Sequence, residues 1–408
     1  MPSLRVRLAA LLCASCLFPR SGAWPEEVLV LGSGGFLGRS LVSALRAGGY
    51  SVSEVTGRAH VDLRVPGALE AWLSGASPGA PAPAPGARAR GFSFVFFLAC
   101  EVGGAKYLGA ARAQADILRH NAQMYEAVLP WAAAAAAARG TRTLFASSSM
   151  RFLAGTPGAG AYPAVKALGE EYVAAALPPA AGRSVRLFNL YGRERVSARS
   201  HVLSDWAAQC VRDRAVRSLT PGAERRQFLH VDDAAAALVA AMERWDDAFE
   251  PAAGGAGAAR AALDISSGEW TRLEDAARAL SALAQSRLGL PPCPLVFAGG
   301  AQNASAPGVA AAAAAAAARP EIALDAGAAL HARWREWMPP ARYPAGAPIA
   351  PALRAGAPAA GSGATADGGL GWVAFDDGLT DLLRYHVALL DADAAAAEDG
   401  ARRTRAEL

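Results

Sequence analysis

The stretch EEVLVLGSGGFLGRSLVSALRAGGYSV, residues 26–52, most narrows what this chain can fold into. Val28 to Leu31 is a short apolar run closed by glycine, the pattern of a strand buried on both faces of a parallel sheet. Gly32, Gly35 and Gly38 follow, and Leu37, Leu41, Val42 and Leu45 then fall on one side of a helix. In such a strand–turn–helix unit Gly32 permits the tight turn and Gly35 lets the backbone approach a pyrophosphate. Gly38 lets helix and strand pack closely, and the helix N-terminus faces the phosphates. The spacing is G-x-x-G-x-x-G, not G-x-G-x-x-G, and taken alone it is also the spacing of a plain βα turn.

The alternation continues downstream. Tyr50 to Thr56 reads as a second strand, His60-Val61-Asp62-Leu63 as a short third, and the apolar Phe92 to Leu98 as a buried central strand. Gln114 to Ala138 reads as a long helix, and Arg142 to Ala146 as a strand leading into Ser147-Ser148-Ser149. Strands alternating with helices predict an α/β fold, a Rossmann-like doubly wound parallel sheet with a smaller C-terminal substrate-binding lobe. Ligands of such sheets bind beyond the carboxyl ends of the strands, where the glycines, Asp62, Ala99, Cys100 and the serine run all fall.

Tyr162 and Lys166, in AYPAVKALGEEY, stand four residues apart and share one helix face. A free phenol has a pKa of about 10, too high for a base at neutral pH, and a neighbouring ammonium favours the phenolate. That pair suits removal of a hydroxyl proton while hydride leaves the same carbon. An amphipathic helix with one inward aromatic has the same spacing, so the pair gains meaning only beside the glycine turn.

Together the segments GSGGFLG, VDLR, FFLACEVGG, LFASSSM, YPAVK, VRLFNLYG, RQFLHVDD, ISSGEW and LGWVAFDDGL resemble an extended short-chain dehydrogenase/reductase of the NAD-dependent nucleotide-sugar epimerase/dehydratase family. They occur in the family's order over roughly residues 26–390. The resemblance implies that Gly32, Gly35, Phe36, Leu37 and Gly38 cradle the cofactor pyrophosphate. Asp62 and Leu63 would lie beside the adenine, and Leu98, Ala99 and Cys100 along the nicotinamide ribose. Asn121 falls where the family has a helix residue supporting the site, although a solvated asparagine is the alternative. Tyr162 would be the general base and acid, with Lys166 lowering its pKa and binding the ribose. Ser149 aligns best with the family's catalytic hydroxyl, ahead of Ser148. Asn189 and Arg226 resemble residues that contact the sugar and diphosphate; Arg193 and Arg225 are either helpers or surface ion pairs. His230 and the pair Asp232-Asp233 read as structural, the aspartate capping a helix from Ala234 to Met242, and no metal site is expected.

Departures from the family narrow the chemistry. Dehydratases carry acids directly after the catalytic hydroxyl, and enzymes that epimerise at carbons 3 and 5 place a cysteine or similar acid there; this chain has Met150 and Arg151. What remains is 4-epimerisation of a nucleotide sugar through a transient keto sugar. Keto-sugar reduction and a cofactor-binding scaffold without turnover are the alternatives. The second strand ends in Thr56-Gly57-Arg58, without the acid that normally holds a ribose 2′-hydroxyl, so NADP is open beside the preferred NAD.

Net charge is +4 with 36 acidic residues and scattered basic ones, which argues against a nucleic-acid partner. Residues 1–24 carry Arg5 and Arg7 before LAALLCASCLF, the pattern of a secretory signal peptide rather than a spanning helix. A signal anchor or plastid leader is the alternative. The expected compartment is the endoplasmic reticulum or Golgi lumen, or the plastid; it is the cytoplasm if the leader is unused. Without the leader Cys100, Cys210 and Cys293 remain, an odd, dispersed set that does not form a disulfide framework. The NAD(P)-binding domain is expected over 25–194 with 229–247 returning to it, and the smaller lobe over 195–228 and 250–390, followed by a tail at 391–408. Trp206, Trp270, Trp334 and Trp337 are its expected core. Ala/Pro/Gly-rich segments at 78–90, 299–319 and 343–369 read as insertions. The resemblance also implies a homodimer through the helices beginning near Gln114 and Tyr162.

Overall fold

In a computed structural model, residues 27–76, 91–249, 262–298 and 373–407 are described. The leader, the segments 299–319 and 343–369, Trp334 and Trp337 lie outside them, as does the loop expected at 78–90.

Six strands form one parallel sheet: β1 (Glu27–Leu31), β2 (Ser51–Val55), β3 (Phe94–Phe97), β4 (Arg142–Ser148), β5 (Gly182–Leu187) and β9 (Ala262–Ile265). Their order is β2-β1-β3-β4-β5-β9, so the winding reverses between β1 and β3, the crevice where such sheets bind ligands. Successive side chains point to opposite faces, which divides the apolar runs between two cores. Val28, Val30, Phe94 and Phe96 pack under α1 (Phe36–Ala47) and α7 (Val231–Glu243). Leu29, Leu31, Val95 and Phe97 pack under α4 (Ala111–Arg139). On that second face Phe97, Tyr125 and Phe145 meet edge-on with centroids 5.4–6.1 Å apart. Their contact seats α4 against α5 (Ala161–Ala176), the helix bearing Tyr162 and Lys166.

Several expectations are corrected. His60 to Leu63 is a turn, not a strand: His60 and Val61 donate to the Gly57 carbonyl at 2.9 and 3.0 Å, and Val65 donates to that of Asp62 at 3.0 Å. Val61 and Leu63 still enter the core, so the alternation that suggested a strand reports burial without a ladder. Residues 262–265, assigned to the smaller lobe, pair with β5 and complete the large sheet. The expected tail from 391 continues the helix α10 (Phe375–Glu407).

The smaller lobe centres on α6 (Val202–Asp213), α9 (Leu273–Leu288) and the first turns of α10, with Trp206 at its core and Trp270 half-buried. A three-stranded sheet, β10 (Trp270–Arg272), β8 (Arg225–His230) and β6 (Asn189–Tyr191), joins it to the large lobe. The cap of α7 is His230, whose Nδ1 accepts from the Asp232 N–H at 3.3 Å, and not an aspartate. Asp233 instead accepts from the Val373 N–H at 3.0 Å and so ties down the approach to α10; burial pushes its carboxyl up to about 8.

The cysteines also depart from expectation. Cys210 on α6 and Cys293, just before β11 (Leu295–Phe297), form a disulfide with Cα atoms 5.5 Å apart. Their 83-residue separation hides the pairing in the sequence, and the strand pair β11–β7 (Val216–Ser218) brings them together. Closing a loop of that length stabilises by on the order of 4 kcal/mol in the chain-entropy account. Reduction is therefore expected to lower the thermal midpoint by roughly 5–10 °C. Melting with and without dithiothreitol checks this; coincident curves would contradict it.

Candidate active site

The glycine turn sits at the carboxyl end of β1, beside that of β3. Gly32 has φ +93°, and a Cβ there would lie 2.7 Å from the Ala99 backbone nitrogen. A Cβ on Gly38 would collide with the Gly32 carbonyl oxygen, so helix and turn pack closely here only through glycine. The N-cap of α1 is Gly35, which offers no side chain, leaving the first-turn N–H groups of Phe36, Leu37 and Gly38 to another acceptor. The Ser33 hydroxyl within the turn is buried and has no partner. An uncapped helix start beside an orphaned hydroxyl fits a dinucleotide pyrophosphate.

Leu98, Ala99 and Cys100 are half-buried along the adjoining strand end, with the Leu98 N–H on the Leu31 carbonyl at 2.9 Å. Asp62 lies past β2 with its carboxylate gripped by Arg64 at 2.6 and 2.8 Å, which holds it below the usual carboxylate range, while Leu63 is buried. Asn121 is not solvated. It is fully buried, accepts the Glu101 N–H at 3.0 Å, and donates to the carbonyls of Glu101 at 3.2 Å and Ile117 at 2.7 Å. It therefore shapes the loop after β3.

Tyr162 and Lys166 come together one turn apart on α5. The start of this helix lacks a capping side chain of its own; Gln114 of α4 accepts the Ala161 N–H at 2.7 Å instead. Lys166 is buried, donates to the Ala146 carbonyl at 2.6 Å, and lies 5.7 Å from the Tyr162 ring centroid. Burial works against its ammonium, yet the neighbouring Cys100, Tyr162 and Tyr125 outweigh that and keep it above the usual lysine range. Burial raises the Tyr162 phenol, while the Lys166 charge and a hydrogen bond with Ser148 pull it back. Ser148 thus bears on the phenol, and its hydroxyl also accepts the Met150 N–H at 3.2 Å. Ser149, the better match to the family pattern, begins a 3-10 turn over Ser149–Leu153, and is buried. Both serines are buried where β4 ends, Ser148 as its last residue and Ser149 as the first of the turn.

The residues after the serines point elsewhere. Arg151 pairs with Glu170 at 3.2 Å, and Glu170 also takes Arg186 at 2.7 and 2.9 Å and the Ser147 hydroxyl at 2.6 Å. A buried carboxylate with three such partners is structural, and it removes Arg151 from the cleft. Asn189 on β6 pairs in register with Phe228 of β8, which places it on the same small sheet as Arg226. Arg226 donates to the Arg225 carbonyl at 2.8 Å. Arg193 is spent on Asp381 at 2.6 and 2.8 Å, an ion pair between the lobes.

Three groups near the cleft carry no motif that would have marked them. Gln114 and Glu170 act on α5 as described. His201, the N-cap residue of α6, lies 5.4 Å from the Phe36 ring of the glycine turn, and its Nδ1 lies 3.0 and 3.1 Å from the two oxygens of Glu194. Only the third dimension brings loop 193–200 back onto that turn.

Residues 28–253 match the model of the NAD dependent epimerase/dehydratase family. A UDP-glucose 4-epimerase of Thermotoga maritima, solved with UDP-glucose, is similar in structure at TM-score 0.55 and 16% identity, over 89% of this chain and 99% of that one. The Bordetella bronchiseptica enzyme WbmF, solved with NAD+ and UDP, is similar at TM-score 0.51 and 15% identity, over 94% and 98%. At such identities the likeness is one of fold. Among curated protein sequences, none matches this chain.

Proposed function

The chain belongs to the NAD-dependent epimerase/dehydratase family, and from that premise we propose that it is a nucleotide-sugar 4-epimerase that keeps NAD bound through turnover. The observation that carries the reading is the neighbourhood of Tyr162. Lys166 and Ser148 bear on the phenol, while Met150 follows the serines and Arg151 is drawn off to Glu170. That arrangement serves proton transfer at one hydroxyl, and the two residues after the serines, Met150 and Arg151, supply no acid for expelling water. The bound UDP-glucose and UDP of the two structural relatives support a nucleotide sugar as substrate.

The chemistry that NAD supplies when bound is reversible hydride transfer; the other tasks fall to the chain. The turn Gly32–Gly38 would hold the pyrophosphate, and Leu98, Ala99 and Cys100 would line the nicotinamide ribose. Lys166 would hold that ribose and steadies the phenolate. Tyr162 takes the sugar's hydroxyl proton as the carbon is oxidised, and returns it when the ketone is reduced from the opposite face. Ser148 hydrogen-bonds the same oxygen, and Asn189 and Arg226 bind the sugar and diphosphate. An arginine suits the latter task through its fixed charge and planar fork.

The leader at residues 1–24 and the Cys210–Cys293 disulfide favour an oxidising lumen as the place of work. No helix among the described residues is long and apolar enough to cross a membrane. Exposed Leu118 on α4 and Leu168 on α5 support a homodimer through those helices. The test of the activity is a panel of nucleotide sugars incubated with purified protein. Interconversion of 4-epimers is expected. Stoichiometric oxidation of NAD(P)H by a keto sugar would replace this reading with a reductase.

A further inference from the structure

Glu101 follows Cys100 on the loop after β3, and its carboxylate meets four side chains. It is 5% exposed. One oxygen takes the Tyr107 hydroxyl at 2.6 Å and Arg199 at 2.5 Å; the other meets Arg58 at 3.1 Å and His120 at 3.3 Å. Asn121 holds its backbone on both sides. Burial works to raise this carboxyl, but its partners prevail and it stays below the usual range, charged at neutral pH. Nothing in the proton chemistry at Tyr162 uses this group.

Its partner Arg58 lies three residues past the end of β2. In dinucleotide-binding sheets that position reads the adenosine ribose: an acid there holds a 2′-hydroxyl, and an arginine accommodates a 2′-phosphate. By sequence Thr56-Gly57-Arg58 points to the phosphate. The structure gives the guanidinium to Glu101 instead. The other arginine of this segment, Arg64, is likewise given to Asp62. Arg39 donates to the Gly34 carbonyl at 2.7 Å and stays in place in every variant compared below.

We propose that Glu101 is the residue that selects NAD over NADP, by holding Arg58 away from a 2′-phosphate and setting its own negative charge where that phosphate would lie. The acid that this fold usually carries at the end of β2 is supplied here from the end of β3. A 2′-phosphate would have to take Arg58 from a buried carboxylate and then sit against it, whereas a 2′-hydroxyl leaves the pair intact. The inference rests on the dinucleotide reading of the glycine turn.

The test is calorimetric titration of the full chain, stripped of nucleotide, with NAD and with NADP. Wild type is expected to bind NAD more tightly. Glu101→Gln should tighten NADP by about tenfold or more, the scale of a charge-assisted hydrogen bond gained, with NAD changed less than about threefold. Adding Arg58→Ala to Glu101→Gln should abolish the gain. Arg58→Ala alone leaves Glu101 in place and should alter NADP binding less than about twofold, a check that holds even if the Gln variant folds poorly. An unchanged NAD/NADP ratio in Glu101→Gln, a gain that survives loss of Arg58, or a large NADP loss in Arg58→Ala alone would each overturn the proposal. A wild type that binds NAD shows that such a failure concerns Glu101 only; a wild type that binds neither dinucleotide would overturn the dinucleotide reading and this inference together.

Discussion

Replacing Tyr162 with phenylalanine is expected to cut turnover by about a thousandfold, while binding of coenzyme and nucleotide sugar changes only a few-fold. The ring stays, so the packing around Ala161 and Val165 is kept. What disappears is the one hydroxyl on which Lys166 and Ser148 both act. A buried phenol raised by desolvation is a poor base by itself, and Lys166 supplies the opposing charge from a position fixed by the Ala146 carbonyl. Steady-state kinetics with parallel binding titrations check this. Turnover within tenfold of wild type would show that another group moves the proton.

Among single substitutions the largest expected loss of stability is at Glu170, on the same helix four residues after Lys166. Its carboxylate is buried and answers Arg186, Arg151 and Ser147. Glu170→Ala leaves Arg186 and Arg151 partly buried without their counter-charge, an arrangement that typically costs about 3–5 kcal/mol. Arg186 keeps a second, longer contact to Asp264 at 3.7 Å and Arg151 one to the exposed Glu171 at 3.8 Å, which favours the lower end of that range. Denaturant unfolding of the variant measures it. A loss below about 1 kcal/mol would mean that the cluster relaxes toward solvent and behaves as a surface ion pair.

The fold was legible where local chemistry and tertiary context agree. Val28 to Leu31, Phe94 to Phe97 and the glycine turn each admit one buried arrangement, and the helix around Tyr125 and Val128 has a clear inner face. His60 to Leu63 misled because alternation reports which side chains are buried, and a turn can bury Val61 and Leu63 as well as a strand can. The disulfide was hidden because cysteine pairing depends on which elements meet, and β7 and β11 are three-residue strands with almost no sequence signal.

The site divides in the same way. Gly32, Gly38, Tyr162 and Lys166 are tied to backbone geometry or helix spacing, so their positions follow from the chain itself. The choice between Ser148 and Ser149 depends on where β4 stops, and strand ends are set by neighbours as much as by residues. Glu101 and Arg58 could not be paired from sequence because their contact is a relation between loops, and of the two readings of Asn121, site support or a solvated asparagine, burial against the loop after β3 removes the second. Arg58 likewise points to a 2′-phosphate until Glu101 is seen beside it.

The decisive measurement of 4-epimerisation uses the protein as purified, with no coenzyme added, incubated with each member of a pair of UDP-sugar 4-epimers. Both starting sugars are expected to reach one common mixture, with co-purifying NAD, no net change in reduced nicotinamide and no change in substrate mass. Loss of water from the substrate, or a product formed only as coenzyme is consumed, would contradict it.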